Sequence, residues 1–96
     1  MLQINQLLYE QLAELLVDAI DGKEFFSDEI YIAQPQVDHS FSATLMIYYK
    51  EHIYPEGARM QINNIVPIWW EFHSDTAQGE VLNDFDFNIL KECICQ

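Results

Sequence analysis

FSATLMIYYKEHIYPEGARMQINNIVPIWWEF, residues 41–72, decides the fold. It reads as two long strands, Phe41 to Tyr54 and Ala58 to His73, joined at Tyr54-Pro55-Glu56-Gly57. The stretch holds both tryptophans and three of the five tyrosines. Both flanks alternate and are rich in β-branched and aromatic residues, which fit a pleated, half-buried surface. Pro55 presets φ for the first turn position, and Gly57 takes a positive φ without steric cost. That chemistry predicts a three-residue hairpin loop, Pro55–Gly57, pairing positions whose numbers sum to 112.

Such a register raises a conflict. The apolar set of the first strand is odd-numbered: Phe41, Ala43, Leu45, Ile47, Tyr49. That of the second is mostly even: Ile62, Val66, Ile68, Trp70, Phe72. With a sum of 112 the two sets fall on opposite faces. One extra residue in a bulge brings them together, and Asn63-Asn64 and Pro67 are the candidate places. The alternative is a sheet buried on both faces. The bulge is the preferred reading. Proline cannot donate to a ladder, so Pro67 also marks the second strand as an edge. Phe41–Tyr54 is then central and requires a third strand beyond it.

Working outward, residues 2–21 read as an amphipathic helix. Leu8, Leu12, Leu15, Leu16 and Ala19 form its stripe, and Gly22 is the stop signal. Its other side carries Glu10, Glu14, Asp18 and Asp21 with no base anywhere in the helix. Like charges four apart are destabilising, and Asp18 and Asp21 oppose the helix dipole. Glu29–Gln34 alternates and supplies the third strand; Pro35 ends it. Ser74–Gly79 reads as a polar loop, and Glu80–Leu82 as a short extended segment. Asn83, Asp84 or Asp86 caps a last helix running to about Ile94, with Phe85, Ile89, Leu90, Cys93 and Ile94 on its apolar face. The expected fold is α+β in a single domain, 1–96. An N-terminal helix precedes a three-stranded antiparallel β-meander and a C-terminal helix (α-β-β-β-α). Leu12, Leu16, Leu45, Ile47, Ile68 and Trp70 are the expected core.

Composition narrows function. Half of the 96 residues are apolar, enough for a real core. No apolar run is long enough for a bilayer, and no basic region precedes a hydrophobic segment. The expected location is cytoplasmic. Sixteen acids against four bases give a net charge of −12. That disfavours direct nucleic-acid binding and anionic membranes, and favours a basic protein partner. Cys93 and Cys95, one residue apart, read as small apolar residues at a helix end rather than as a staple or redox pair.

No motif carries a reaction. Three glycines cannot build a phosphate-cradling loop, and none of Ser40, Ser42 and Ser74 sits in a nucleophile elbow. One metal constellation is conceivable. In the 112 register His39 faces His73, and Glu71 lies two residues away, giving two histidines and a carboxylate. The preferred reading of these three is a wet sheet margin, with no metal or cofactor. Trp69 and Trp70 are adjacent in a strand and point to opposite faces. If both helices cover one face, Trp69 joins Met46, Tyr48 and Ile65 in an exposed apolar patch, the mark of an interface. The expected function is a small, acidic, non-enzymatic protein-interaction domain. Its binding residues would be Glu10, Glu14, Asp18, Asp21, Met46, Tyr48 and Trp69, its partner basic, and its own state a homodimer. Two alternatives are a nucleic-acid mimic that occupies a DNA-binding protein, and a metal-binding domain or small enzyme centred on His39, Glu71 and His73.

Overall fold

The computed structural model describes residues 1–95 and has the α+β architecture, with one more strand than expected. The order is α1 (Gln6–Ile20), β1 (Phe25–Ile32), β2 (Asp38–Tyr54), β3 (Gly57–Thr76), β4 (Gly79–Val81) and α2 (Phe87–Ile94). The strands form one antiparallel sheet in the order β1-β2-β3-β4. The expected polar loop after His73 is instead the end of β3 and a tight turn into β4. The Thr76 hydroxyl stabilises that turn by donating to Gly79 O at 3.2 Å.

The hairpin resolves its register conflict in three steps. Its loop has two residues, Pro55-Glu56, not three, so Tyr54 pairs with Gly57 and the numbers sum to 111. A first bulge then skips Asn63 between the pairs Tyr49–Ile62 and Tyr48–Asn64. A second skips Ile68 between Leu45–Pro67 and Thr44–Trp69. Asn63 and the neighbourhood of Pro67 are where the sequence allowed a bulge, and each contributes one. Each extra residue flips the facing of the strand beyond it. Ile65, Trp70 and Phe72 thereby join Phe41, Ala43, Leu45 and Ile47 on one face. Pro67 does lie on an edge, since β4 covers β3 only from Ser74 to Thr76.

Both helices pack on that inner face. Leu8, Tyr9, Leu12, Ala13, Leu16 and Ile20 of α1 share one core with Phe26, Ile30 and Ile32 of β1, Phe41, Ala43, Leu45 and Ile47 of β2, and Phe87 and Leu90 of α2. The helix stripe is rotated from the expected one. Tyr9, Ala13 and Ile20 are buried, while Leu15 and Ala19 are exposed. Two core expectations also fail. Ile68 is 63% exposed because it is the bulged residue, and Trp70 is 36% exposed because it lies at the rim, against Phe85 and Phe87. Leu12, Leu16, Leu45 and Ile47 are buried as expected.

Local chemistry sets the ends of the helices. Asn5 Oδ1 accepts from Leu8 N at 2.9 Å, starting α1. Its stop is a left-handed turn that begins one residue before Gly22, at Asp21 (φ 48°). Asp86 is the cap of α2, its carboxylate accepting from Asn88 N at 2.9 Å. The segment before α1 is tied to the segment before α2. Leu2 bridges Asn83 in parallel, Ile4 N donates to Asp84 Oδ1 at 2.7 Å, and Asp86 N donates to the Tyr9 hydroxyl at 2.9 Å. The far end of the hairpin has no helix beneath it. It projects as a two-stranded arm, and the molecule measures 52 × 24 × 18 Å.

Candidate interaction surfaces

The helix side carries a groove of about 560 Å³ between α1 and α2. Ala13 and Val17 of α1 and Cys93 and Ile94 of α2 give it an apolar lining. Glu10, Glu14 and Asp18 line the same groove. They recur every fourth residue, so a helix stacks them in one row. Among the described residues none of these three has an ion-pair partner. Asp21, the fourth acid of the expected row, is the left-handed cap and does not line the groove. Next to it, a second hollow under the base of the arm shares Val17 and Ile94 and adds Ile20, Tyr49, Met60 and Ile62. Cys93 and Cys95 pack against the core as partly buried apolar groups, and burial pushes the Cys95 thiol up.

The other side of the sheet has no helix over it. Its rows run across β1, β2 and β3 as Tyr31–Ser40–His73, Glu29–Ser42–Glu71, Ser27–Thr44–Trp69 and Phe25–Met46–Val66. Hydroxyl contacts mark the shared face: Ser27 Oγ lies 2.9 Å from Thr44 Oγ1, and Ser42 Oγ donates to Glu29 Oε2 at 3.1 Å. Met46, Tyr48 and Trp69 share this face, but Ile65, expected beside them, pairs with Ile47 and is buried on the inner face, because the first bulge flips the facing of the strand there. Trp69 is 50% exposed, and Phe25, Tyr48 and Val66 are exposed beside it. Sequence reasoning misses Phe25 because it starts that strand four residues too late. The alternation of Phe25 with buried Phe26 is the available signal.

The conceivable metal trio does not assemble. With the register at 113 in this part of the hairpin, His39 pairs with Ser74 and not with His73. His39 is 4% exposed on the inner face, its Nδ1 2.9 Å from Ser74 Oγ. Burial lowers its pKa, so the neutral ring is favoured. His73 sits on the outer face between two carboxylates. Its Nδ1 is 3.0 Å from Glu80 Oε1 and its Nε2 is 2.8 Å from Glu71 Oε1. The hydrogen bond to Glu80, reinforced by the charge of Glu71, raises its pKa. With a carboxylate on each ring nitrogen, the imidazolium is favoured and neither nitrogen is free to ligate a metal. Among the described residues no group of three His, Cys, Asp or Glu side chains is arranged to hold a metal ion. No helix among the described residues is long and apolar enough to cross a membrane.

Two surfaces therefore stand out, an acidic groove on the helix side and an uncovered sheet face. Compared with protein-family models, curated proteins and solved structures, this chain matched none.

Proposed function

We propose that this chain is a small, acidic, non-enzymatic protein-interaction domain that receives a basic segment of a partner protein on its helix side. The observation that carries the reading is the groove between α1 and α2, where Glu10, Glu14 and Asp18 stand beside an apolar lining. A segment with apolar residues on one stripe and Lys or Arg beside them fits both features, as in helix-in-groove recognition. The carboxylates would steer and orient it, and the apolar contacts would hold it. The self-repulsion of the row supports the reading. A helix without a single base carries a standing cost that a basic partner relieves.

The test is comparative capture from the native cell, using immobilised wild-type protein and a Glu10→Lys/Glu14→Lys/Asp18→Lys variant. A Lys- or Arg-rich protein held by the wild type should be lost by the reversed variant, and the interaction should weaken steeply with salt. It should persist with Trp69→Glu, which alters the opposite side. Equal capture by wild type and charge-reversed variant would refute the reading.

A further inference from the structure

The outer face of the sheet is divided into three zones along β2 and β3. One end is acidic: Asp38 pairs with Asp75, Asp75 with Glu80, and Glu29 and Glu71 flank Ser42. The middle is apolar, with Phe25, Met46, Val66, Tyr48 and Trp69. The other end, on the arm, is basic. Lys50 pairs with Gln61 and His52 with Arg59, so two of the chain's four bases lie on this one face. Arg59 is held by Glu56 only through an exposed contact of 3.5 Å, the kind of pair worth little. It also lies over the Tyr54 ring, 5.3 Å from the centroid.

This pattern is self-complementary when reversed. We infer that a second copy of the chain covers the outer face, as a two-fold dimer whose axis crosses the strands at the Phe25–Met46–Val66 row. Rotation about that axis exchanges the Thr44 row with the Tyr48 row, and the Ser42 row with the Lys50 row. Trp69 then lies over the second copy's Tyr48–Asn64 row, and Glu71 comes beside the second copy's Lys50. His73 and its two carboxylates meet the second copy's Arg59. The other two-fold, with its axis along the strands, stacks acids on acids and is disfavoured.

Size agrees. From Asp38 to His52 the face is about 47 Å long at about 3.4 Å per residue, and two to three strands make it about 10–14 Å wide. That is roughly 500–650 Å² in projection, before side-chain relief, on the scale of the ~800 Å² per partner of a standard interface. The carboxylates of α1 lie on the far side of the sheet, where their repulsion is screened over ~8–10 Å at physiological salt. This inference is independent of the helix-side groove.

Light scattering with circular dichroism tests it. The wild type is expected to be a dimer at high micromolar concentration, and Trp69→Glu a folded monomer. If Trp69→Glu fails to fold, Tyr48→Glu reads the same outcome. Lys50→Glu and Glu71→Lys should each weaken the dimer about tenfold or more, and the two combined should restore it. Glu14→Lys should leave it intact. A wild-type monomer, or a dimer that survives the folded Glu variant, overturns the inference. Failure of the double charge swap to restore association overturns the reversed arrangement.

Discussion

Replacing Ile65 and Ile68 one at a time with alanine tests whether the second bulge falls at Ile68 or before it. The two isoleucines are three residues apart in one strand, yet Ile65 is 0% and Ile68 63% exposed. Each substitution removes three carbons, a transfer term of about 2.4 kcal/mol for a fully buried side chain at ~0.8 per carbon. At Ile65 the cavity term adds to this, because the site is enclosed by core side chains of β2 and the helices. The expected cost is about 3–4 kcal/mol, within the range for such truncations. At Ile68 only a little over a third of the side chain is covered and no enclosed cavity forms, so about 1 kcal/mol or less is expected. Urea melts followed by far-ultraviolet circular dichroism measure both, provided the slope with denaturant is unchanged. The difference should appear as a melting-temperature gap of about 8–20 °C for a chain of this size. Equal losses at the two positions would mean that Ile68 is a core residue. The second bulge would then lie before Ile68 rather than at it, with the facings of Trp69 and Trp70 unchanged.

Leu45→Ala, in the central strand and fully buried, should cost about 2–5 kcal/mol; a loss under ~0.5 kcal/mol in a denaturant melt would refute the central placement of β2. Sodium chloride should raise the melting temperature, since the net charge of −12 makes the compact state self-repelling; a flat or falling response contradicts this. His73 and His39 titrate in opposite senses. His73, raised above its ordinary 6.5 by Glu80 and Glu71, stabilises the fold fully below that value, and the benefit is lost as pH rises through its folded-state pKa. The stability gap between wild type and His73→Ala should therefore be widest in mild acid and close in alkali. His39, lowered by burial, adds a penalty that grows as pH falls below 6.5. The ring resonances of His73 and His39 should show one pKa above and one below the ordinary value, and two equal values would refute the assigned facings.

The long strands, the edge marked by Pro67 and the acidic row of α1 were legible because each rests on a local signal: alternation, a missing donor, or four-residue spacing. The bulges were legible only as a conflict. Alternation says that two apolar sets must meet but not how many single-residue skips accomplish it, and here a shorter loop adds to two skips. Ile68 escapes its expected core place for that reason, being apolar but located at the skip. The rotation of α1 was ambiguous because leucines flank both sides of its stripe. Tyr9 and Ala13 won the core place over Leu15 and Ala19 through tertiary contacts, Tyr9 stacking on Phe85 at 5.2 Å. Three-residue β4 is too short for any periodic signal. The charge zones of the outer face were not legible at all, because they depend on the summed register from Asp38 to Arg59.

The tie between residues 2–9 and 84–86 has a consequence for how the chain reaches this structure. The bond from Ile4 N to Asp84 Oδ1 closes a separation of 80 residues, and that from Asp86 N to the Tyr9 hydroxyl one of 77. Loop-closure entropy makes such contacts late relative to the β2–β3 hairpin, whose ends are joined by two residues. On a ribosome the hairpin and α1 can meet early, but Asp86, the cap of α2, is anchored to Tyr9 only once α1 is docked. Leu90 and Phe87 then seal the core last. A growing chain stopped before Asp84 would leave the aromatic rim of Phe72 and Trp70 open, a transient sticky surface that a cell would need to shield or outrun.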